Sequence, residues 1–197
     1  INKPSWFGHA ALFFLVVGCS SDKQKTSQSP PPPEQIRALT ELDREQIAAF
    51  GKDLLNVEKI SAKAMSLVGN EIKQVIMGEK QSVDAASLLD AAKIEAGKSL
   101  DTMLKMAVPA KLPPWFTQNL SEAKKGFADA YSEKIASLDT IRRFMEEKNP
   151  ATLIEYKQKA ALADKSFRDA REKLDAVLNV SGIQTKDAAS ASEKTEN

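Results

Sequence analysis

Histidine is all but missing from this sequence: the 197 residues hold one, His9, and a single cysteine, Cys19. One cysteine leaves no partner for an internal disulfide. Downstream of Cys19 there is no histidine, which removes the usual ligand sets of haem, di-iron and zinc sites together with the Ser-His-Asp and Cys-His hydrolase machineries. Neither G-x-x-x-x-G-K-S/T nor G-x-G-x-x-G occurs, so the phosphate-cradling loops are not found either. No cofactor and no metal are expected. An excess of one charge is also lacking, with 28 basic and 27 acidic residues. Lys3 is the only charged residue before Cys19, so the chain from Cys19 onward is neutral. A dedicated nucleic-acid binder needs a basic excess to displace counterions, and none is expected here. Glycine (8 residues) and aromatics (6%) are scarce. Alanine, lysine, glutamate, leucine and serine fill the chain instead, a composition that favours an all-α fold because few side chains are β-branched.

The first apolar run is Ala10-Ala11-Leu12-Phe13-Phe14-Leu15-Val16-Val17-Gly18, preceded by Lys3 and followed by Ser20-Ser21-Asp22-Lys23. A membrane span takes about 20 apolar residues, and this run has the length of a signal-peptide core. Its end, Val16-Val17-Gly18-Cys19, resembles the bacterial lipobox, in which a small residue precedes the cysteine that receives diacylglycerol before cleavage. The resemblance implies a lipoprotein precursor, cut before Cys19 and moored through acyl chains that contribute roughly 0.8 kcal/mol per buried methylene. Ser20, where an aspartate would favour inner-membrane retention in Gram-negative lipoproteins, implies the outer membrane facing the periplasm. In a Gram-positive cell the same anchor implies the outer face of the plasma membrane.

Residues 19–34 are polar and then proline-rich, ending in Pro30 to Pro33. They are expected to be a disordered tether whose prolines form a polyproline II spacer of about 3.1 Å per residue. Residues 182–197 are expected to be a disordered tail. Between them, residues 35–181 show helical periodicity in four segments. The first, Thr40 to Met77, carries Ile47, Phe50, Leu54, Val57, Ile60, Ala64, Val68, Ile72 and Val75, with Thr40 and Asp43 spaced as a capping box. Gly51 and Gly69 weaken it as one straight rod. The second carries Ala85, Leu89, Ala92, Ala96, Leu100, Met103 and Ala107. The third, Pro114 to Lys148, carries Phe116, Leu120, Phe127, Tyr131, Ile135, Leu138, Ile141 and Met145. The fourth follows Asn149-Pro150 with Leu153, Tyr156, Ala160, Ala163, Phe167, Ala170, Leu174 and Val177. On its outer face Asp164, Arg168 and Glu172, and Lys165, Asp169 and Lys173, are spaced as ladders of opposite charge. Short connections predict an elongated antiparallel up-down four-helix bundle; a three-helix core with a docked first helix, or a bundle completed by a second copy, is the structural alternative.

Few residues invite a chemical role. Asp129 and Glu133 lie one turn apart and Glu146-Glu147 are adjacent, but a lysine-laced helix face supplies neither the cleft nor the desolvation that acid catalysis needs. Lys124-Lys125 and Arg142-Arg143 read as solvated faces. The least ordinary stretch is Val108 to Phe116, where Leu112, Trp115 and Phe116 sit among prolines. They are expected to cap one end of the core, with a partner-binding or membrane-touching tip as the functional alternative. The functional expectation is a non-enzymatic interaction, scaffold or accessory module, held at a membrane through Cys19 and acting on a protein partner of the cell envelope. A small-ligand or lipid-binding bundle, with a cavity between the alanine-rich second helix and its neighbours, is the alternative. An envelope enzyme is the weaker one.

Overall fold

The computed structural model describes residues 30–79 and 82–183. The expected signal peptide 1–18, Cys19, most of the expected tether and nearly all of the expected tail lie outside the described residues. The chain is all-α: among the described residues it forms α1 (Pro33–Arg37), α2 (Glu41–Ile76), α3 (Ser82–Lys105), α4 (Pro114–Glu147) and α5 (Pro150–Val180), with no strand.

Local chemistry sets the helix ends. Thr40 Oγ1 accepts from the Asp43 backbone N–H at 3.2 Å, and the Thr40 N–H donates back to Asp43 Oδ2 at 2.9 Å, so the capping box is formed. That returned hydrogen bond holds the Asp43 carboxyl below its ordinary value. Asn149 Oδ1 accepts from the Ala151 N–H at 3.0 Å, and Pro150 takes the first helical position, where its missing N–H costs nothing. At the far end of α5, Gly182 adopts φ +75°, its N–H bonds Asn179 O, and the Ile183 N–H reaches Leu178 O at 2.9 Å. This Schellman closure brings Ile183 onto the core. Residues 182 and 183 therefore belong to the folded domain, not to the tail.

The other boundary moves as well. Pro31 is buried and Pro33 opens α1, so the folded unit begins at Pro31, before the expected start at 35. The spacer expected over Pro30 to Pro33 is shortened accordingly. The sequence offered no apolar stripe in so short a helix; its anchor is Leu39, just beyond it, which is buried in the core.

The long helices run against their neighbours. Glu122, Gly126, Glu133, Thr140 and Arg143 of α4 meet Lys173, Ala170, Ser166, Lys159 and Glu155 of α5, in reversed order. Asp90, Lys93 and Leu104 of α3 meet Arg142, Asp139 and Lys124 of α4. Helix α2 runs unbroken through Gly51 and Gly69 and stays about 54 Å long at 1.5 Å per residue. Arg44, Gly51 and Glu58 of α2 face Ser181, Leu178 and Arg171 of α5.

Apolar burial is divided in two. One cluster joins Ile47, Phe50 and Leu54 of α2 to Met103, Phe127 and Leu174. The other joins Val68, Ile72 and Val75 to Leu89, Leu138 and Ile141. Between them sits a buried hydroxyl pair, Ser61 Oγ and Ser99 Oγ, in mutual hydrogen-bond contact. This waist corrects the stripe on α2: Ile60 is 67% exposed, while Ser61 is 1% exposed. The inward steps run Leu54, Val57, Ser61, Met65, Val68, with Val57 and Met65 partly buried. A hydroxyl takes a core position because a partner on α3 satisfies it. Ala107, the last member of the expected α3 stripe, lies past Lys105 and is exposed.

The two α5 ladders are not what the charges do. Asp164 pairs with Lys134 and Lys173 with Glu122, both on α4, while Arg171 pairs with Glu58 of α2 and with Asp175. Asp164, Lys173 and Arg171 tie α5 to its neighbours, and only Arg171 among them also pairs along the helix, with Asp175.

Lys111 in the α3–α4 connection holds φ at 72°, a left-handed conformation that costs a side chain about 1–2 kcal/mol. Lys111→Gly is expected to stabilise the protein by about 0.5–1 kcal/mol, the strain relieved outweighing the added freedom of the unfolded chain. Urea midpoints at unchanged slope measure it; a lower midpoint would show that the turn is not strained.

Candidate functional site

Leu112, Trp115 and Phe116 gather at the end of the helices where α2 and α4 begin and α3 and α5 finish. Leu112 and Phe116 are buried, the latter completely. Trp115 is half-buried against the same cluster, its ring edge-on to Phe116 with centroids 5.0 Å apart. The prolines that start α4 provide no side-chain cap. Gln35 of α1 provides one, its Oε1 accepting from the Trp115 N–H at 3.0 Å. The aromatic corner is thus closed over by α1. The glutamine that does it gave no signal in the sequence, because its partner lies 80 positions away.

The surface carboxylates and bases are engaged in ordinary ways. Asp129 pairs with Lys125 at 2.8 Å, Glu133 accepts from Ser166, Glu146 pairs with Arg142 and Glu147 accepts from Thr152. Lys124 Nζ donates to Leu104 O, and Arg143 pairs with Glu155 at 2.9 Å. Glu122 is held below its ordinary value by the hydrogen bond from Lys173, with a second from Gln118. Among the described residues no group of three or more His, Cys, Asp or Glu side chains is placed to hold a metal ion. No helix among them is long and apolar enough to cross a membrane.

One cleft of about 500 Å³ lies between α2 and the connection after α3, where Phe50 and Ala107 line it. Ala85, Ala92 and Ala96 of α3 are buried in close packing. A second cleft, of about 290 Å³, lies among α2, α4 and α5 at the level of the waist. Met65, Ala62, the Tyr131 ring and Phe167 form its apolar part; Glu58, Lys134, Asp164 and Arg168 stand around it. Tyr131 and Phe167 meet edge-on at 5.0 Å and 89°. The Tyr131 hydroxyl donates to Val57 O at 3.4 Å.

Burial holds the Tyr131 phenol above its ordinary value of 10.0, with Ser61 and Ser99 opposing and Glu58 adding to the rise. Burial also raises Tyr156. A group whose folded value is raised favours the folded state fully below its unfolded value, and that contribution is lost as pH climbs past it. Stability is therefore expected to fall above pH 10, and Tyr131→Phe to flatten that alkaline limb. Thermal midpoints of both proteins through this range test it; parallel curves would mean that Tyr131 ionises as freely folded as unfolded.

Comparison with protein-family models, curated proteins and solved structures finds no match to this chain.

Proposed function

We propose that this chain is a lipid-anchored, non-enzymatic helical module of the bacterial cell envelope, a scaffold or accessory subunit that engages a protein partner at a distance from its membrane. The observation that carries the reading is the apolar run ending in Val16-Val17-Gly18-Cys19. It supplies a short hydrophobic core, a small residue and a nucleophilic thiol in the order that lipidation and cleavage require. From Cys19 to Pro31 an extended chain reaches about 40 Å. It joins the domain at the end closed by α1, Leu112 and Trp115. Paired exposed carboxylates support a role without catalysis. The outer membrane, facing the periplasm, is the address that Ser20 supports in a Gram-negative cell.

Cys19→Ser tests the reading. Incorporation of labelled palmitate and sedimentation with membranes after carbonate washing are both expected to disappear, while the melting of the domain stays the same. Unchanged processing and unchanged sedimentation would sink it. Detergent extracts of the lipidated protein are the place to seek a stoichiometric partner.

A further inference from the structure

The cleft at the waist has a chemistry of its own. At about 290 Å³ it has room for roughly ten waters at ~30 Å³ each, which is the bulk of one short hydrocarbon chain or a single small ring system. Its inner wall offers such a chain little to hydrogen-bond. Met65 and Phe167 present thioether and ring, and Ser61 is already matched with Ser99. Tyr131 is buried with its hydroxyl turned to Val57 O. Water held against such a wall is poorly satisfied, and an apolar chain displaces it favourably.

The mouth carries both signs of charge, but they are not equally committed. Glu58 accepts from Arg171 at 3.2 Å, a guanidinium outside the cleft that it shares with Asp175. Asp164 leans into solvent at 57% exposure and lies 3.8 Å from the Lys134 ammonium, at the outer limit of an ion pair. Lys134 is itself only 23% exposed and keeps donors to spare. Arg168 stands at the rim and is exposed. A guanidinium fork matches the two oxygens of a carboxylate. The opening is therefore apolar within, and its lip offers two cations, Lys134 and Arg168, beside Glu58 and Asp164.

We infer that this cleft binds a single-chain carboxylate amphiphile, a medium-chain fatty acid, with its hydrocarbon laid between Met65 and Phe167 and its carboxylate held by Lys134 and Arg168. The inference goes beyond the tethered-module reading and stands whether or not Cys19 is acylated. It would make the module a sensor or carrier of free acyl groups rather than a bare spacer.

Titration calorimetry on the full chain, and separately on the full chain carrying Cys19→Ser, tests it with decanoate, decanol and decyltrimethylammonium, each below its micellar concentration. Decanoate is expected to saturate one site in both proteins, with decanol about tenfold weaker and the cation weaker still. Ala62 is an exposed rim residue, so Ala62→Phe fills the cleft without disturbing the core. It is expected to weaken decanoate about tenfold at an unchanged melting temperature. Arg168→Glu is expected to weaken decanoate about fivefold and to narrow its advantage over the cation. No saturable decanoate binding, undiminished binding by Ala62→Phe, or equal binding of decanoate and decyltrimethylammonium would each overturn the inference. Binding retained in Cys19→Ser while membrane attachment is lost separates this site from the anchor.

Discussion

Phe127→Ala is expected to cost about 3–5 kcal/mol of folding stability, the range for a large aromatic deleted from a core that cannot collapse. Phe127 is fully buried in the cluster shared by α2, α4 and α5. Its ring lies 6.3 Å from that of Phe167, at 59°. The neighbouring residue, Gly126, already lets α5 approach α4 as closely as backbone allows, since a Cβ there would meet Ala170 Cβ at 2.9 Å. The helices have no room to close further, so the missing ring leaves a void. Exposed apolar side chains on the same scaffold give the contrast. Ile60→Ala and Leu162→Ala, at 67% and 49% exposure, are expected to change stability by less than about 0.5 kcal/mol. Urea unfolding with a shared slope ranks the three. A Phe127→Ala loss under about 1 kcal/mol would mean that the core relaxes into the space.

The stripe containing Phe127 was legible in the sequence because α4 obeys one rule throughout. Every apolar residue assigned to it, from Phe116 to Met145, is buried or half-buried. The α5 stripe is equally faithful, since steps of three and four never meet a competing polar partner. Reading failed where a long-range partner decided the outcome. Ser61 displaced Ile60 from the α2 stripe because Ser99, 38 positions away, satisfies its hydroxyl. Apolar periodicity has no means of pricing that bond. Gln35 stood at the expected start of the domain with no role assigned, because only the uncapped prolines of α4 make its amide useful. The charge ladders failed for a related reason. Spacing of four permits a pair along α5, but Lys134 and Glu122 on α4 stand close enough to draw Asp164 and Lys173 sideways.

The cleft was legible only as a class. Alanine on α3 signalled either a pocket or close packing; Ala92 and Ala96 are buried, while Ala107, just past the helix, lines a cleft against α2. The other opening formed where α2 passes the waist, because a serine pair there takes the place that bulky apolar side chains fill on either side. The residues that line it were visible individually. Phe167 and Tyr131 were placed in stripes and Arg168 in a ladder, and only the folded chain brings their faces to one opening.

Gly126→Leu carries the second large effect. A leucine has no space opposite Ala170, whose Cα lies 3.5 Å from the position of the first added carbon, so α4 and α5 must separate along their contact. Overpacking of this kind costs about 1–3 kcal/mol, and separation also strains the Glu122–Lys173 and Glu133–Ser166 links on either side; a loss of about 3 kcal/mol is expected. Gly126→Ala is milder, because the clash is set against a gain of about 1 kcal/mol in helix propensity. The diagnostic experiment moves the methyl from one helix to the other. Ala170→Gly alone should cost about 1 kcal/mol through helix propensity. Combined with Gly126→Ala it should restore the close approach, giving a favourable coupling of about 1–2 kcal/mol in a double-mutant cycle. Strictly additive single changes would mean that α4 and α5 part freely at this point, and the rigidity invoked for Phe127 would fall with it.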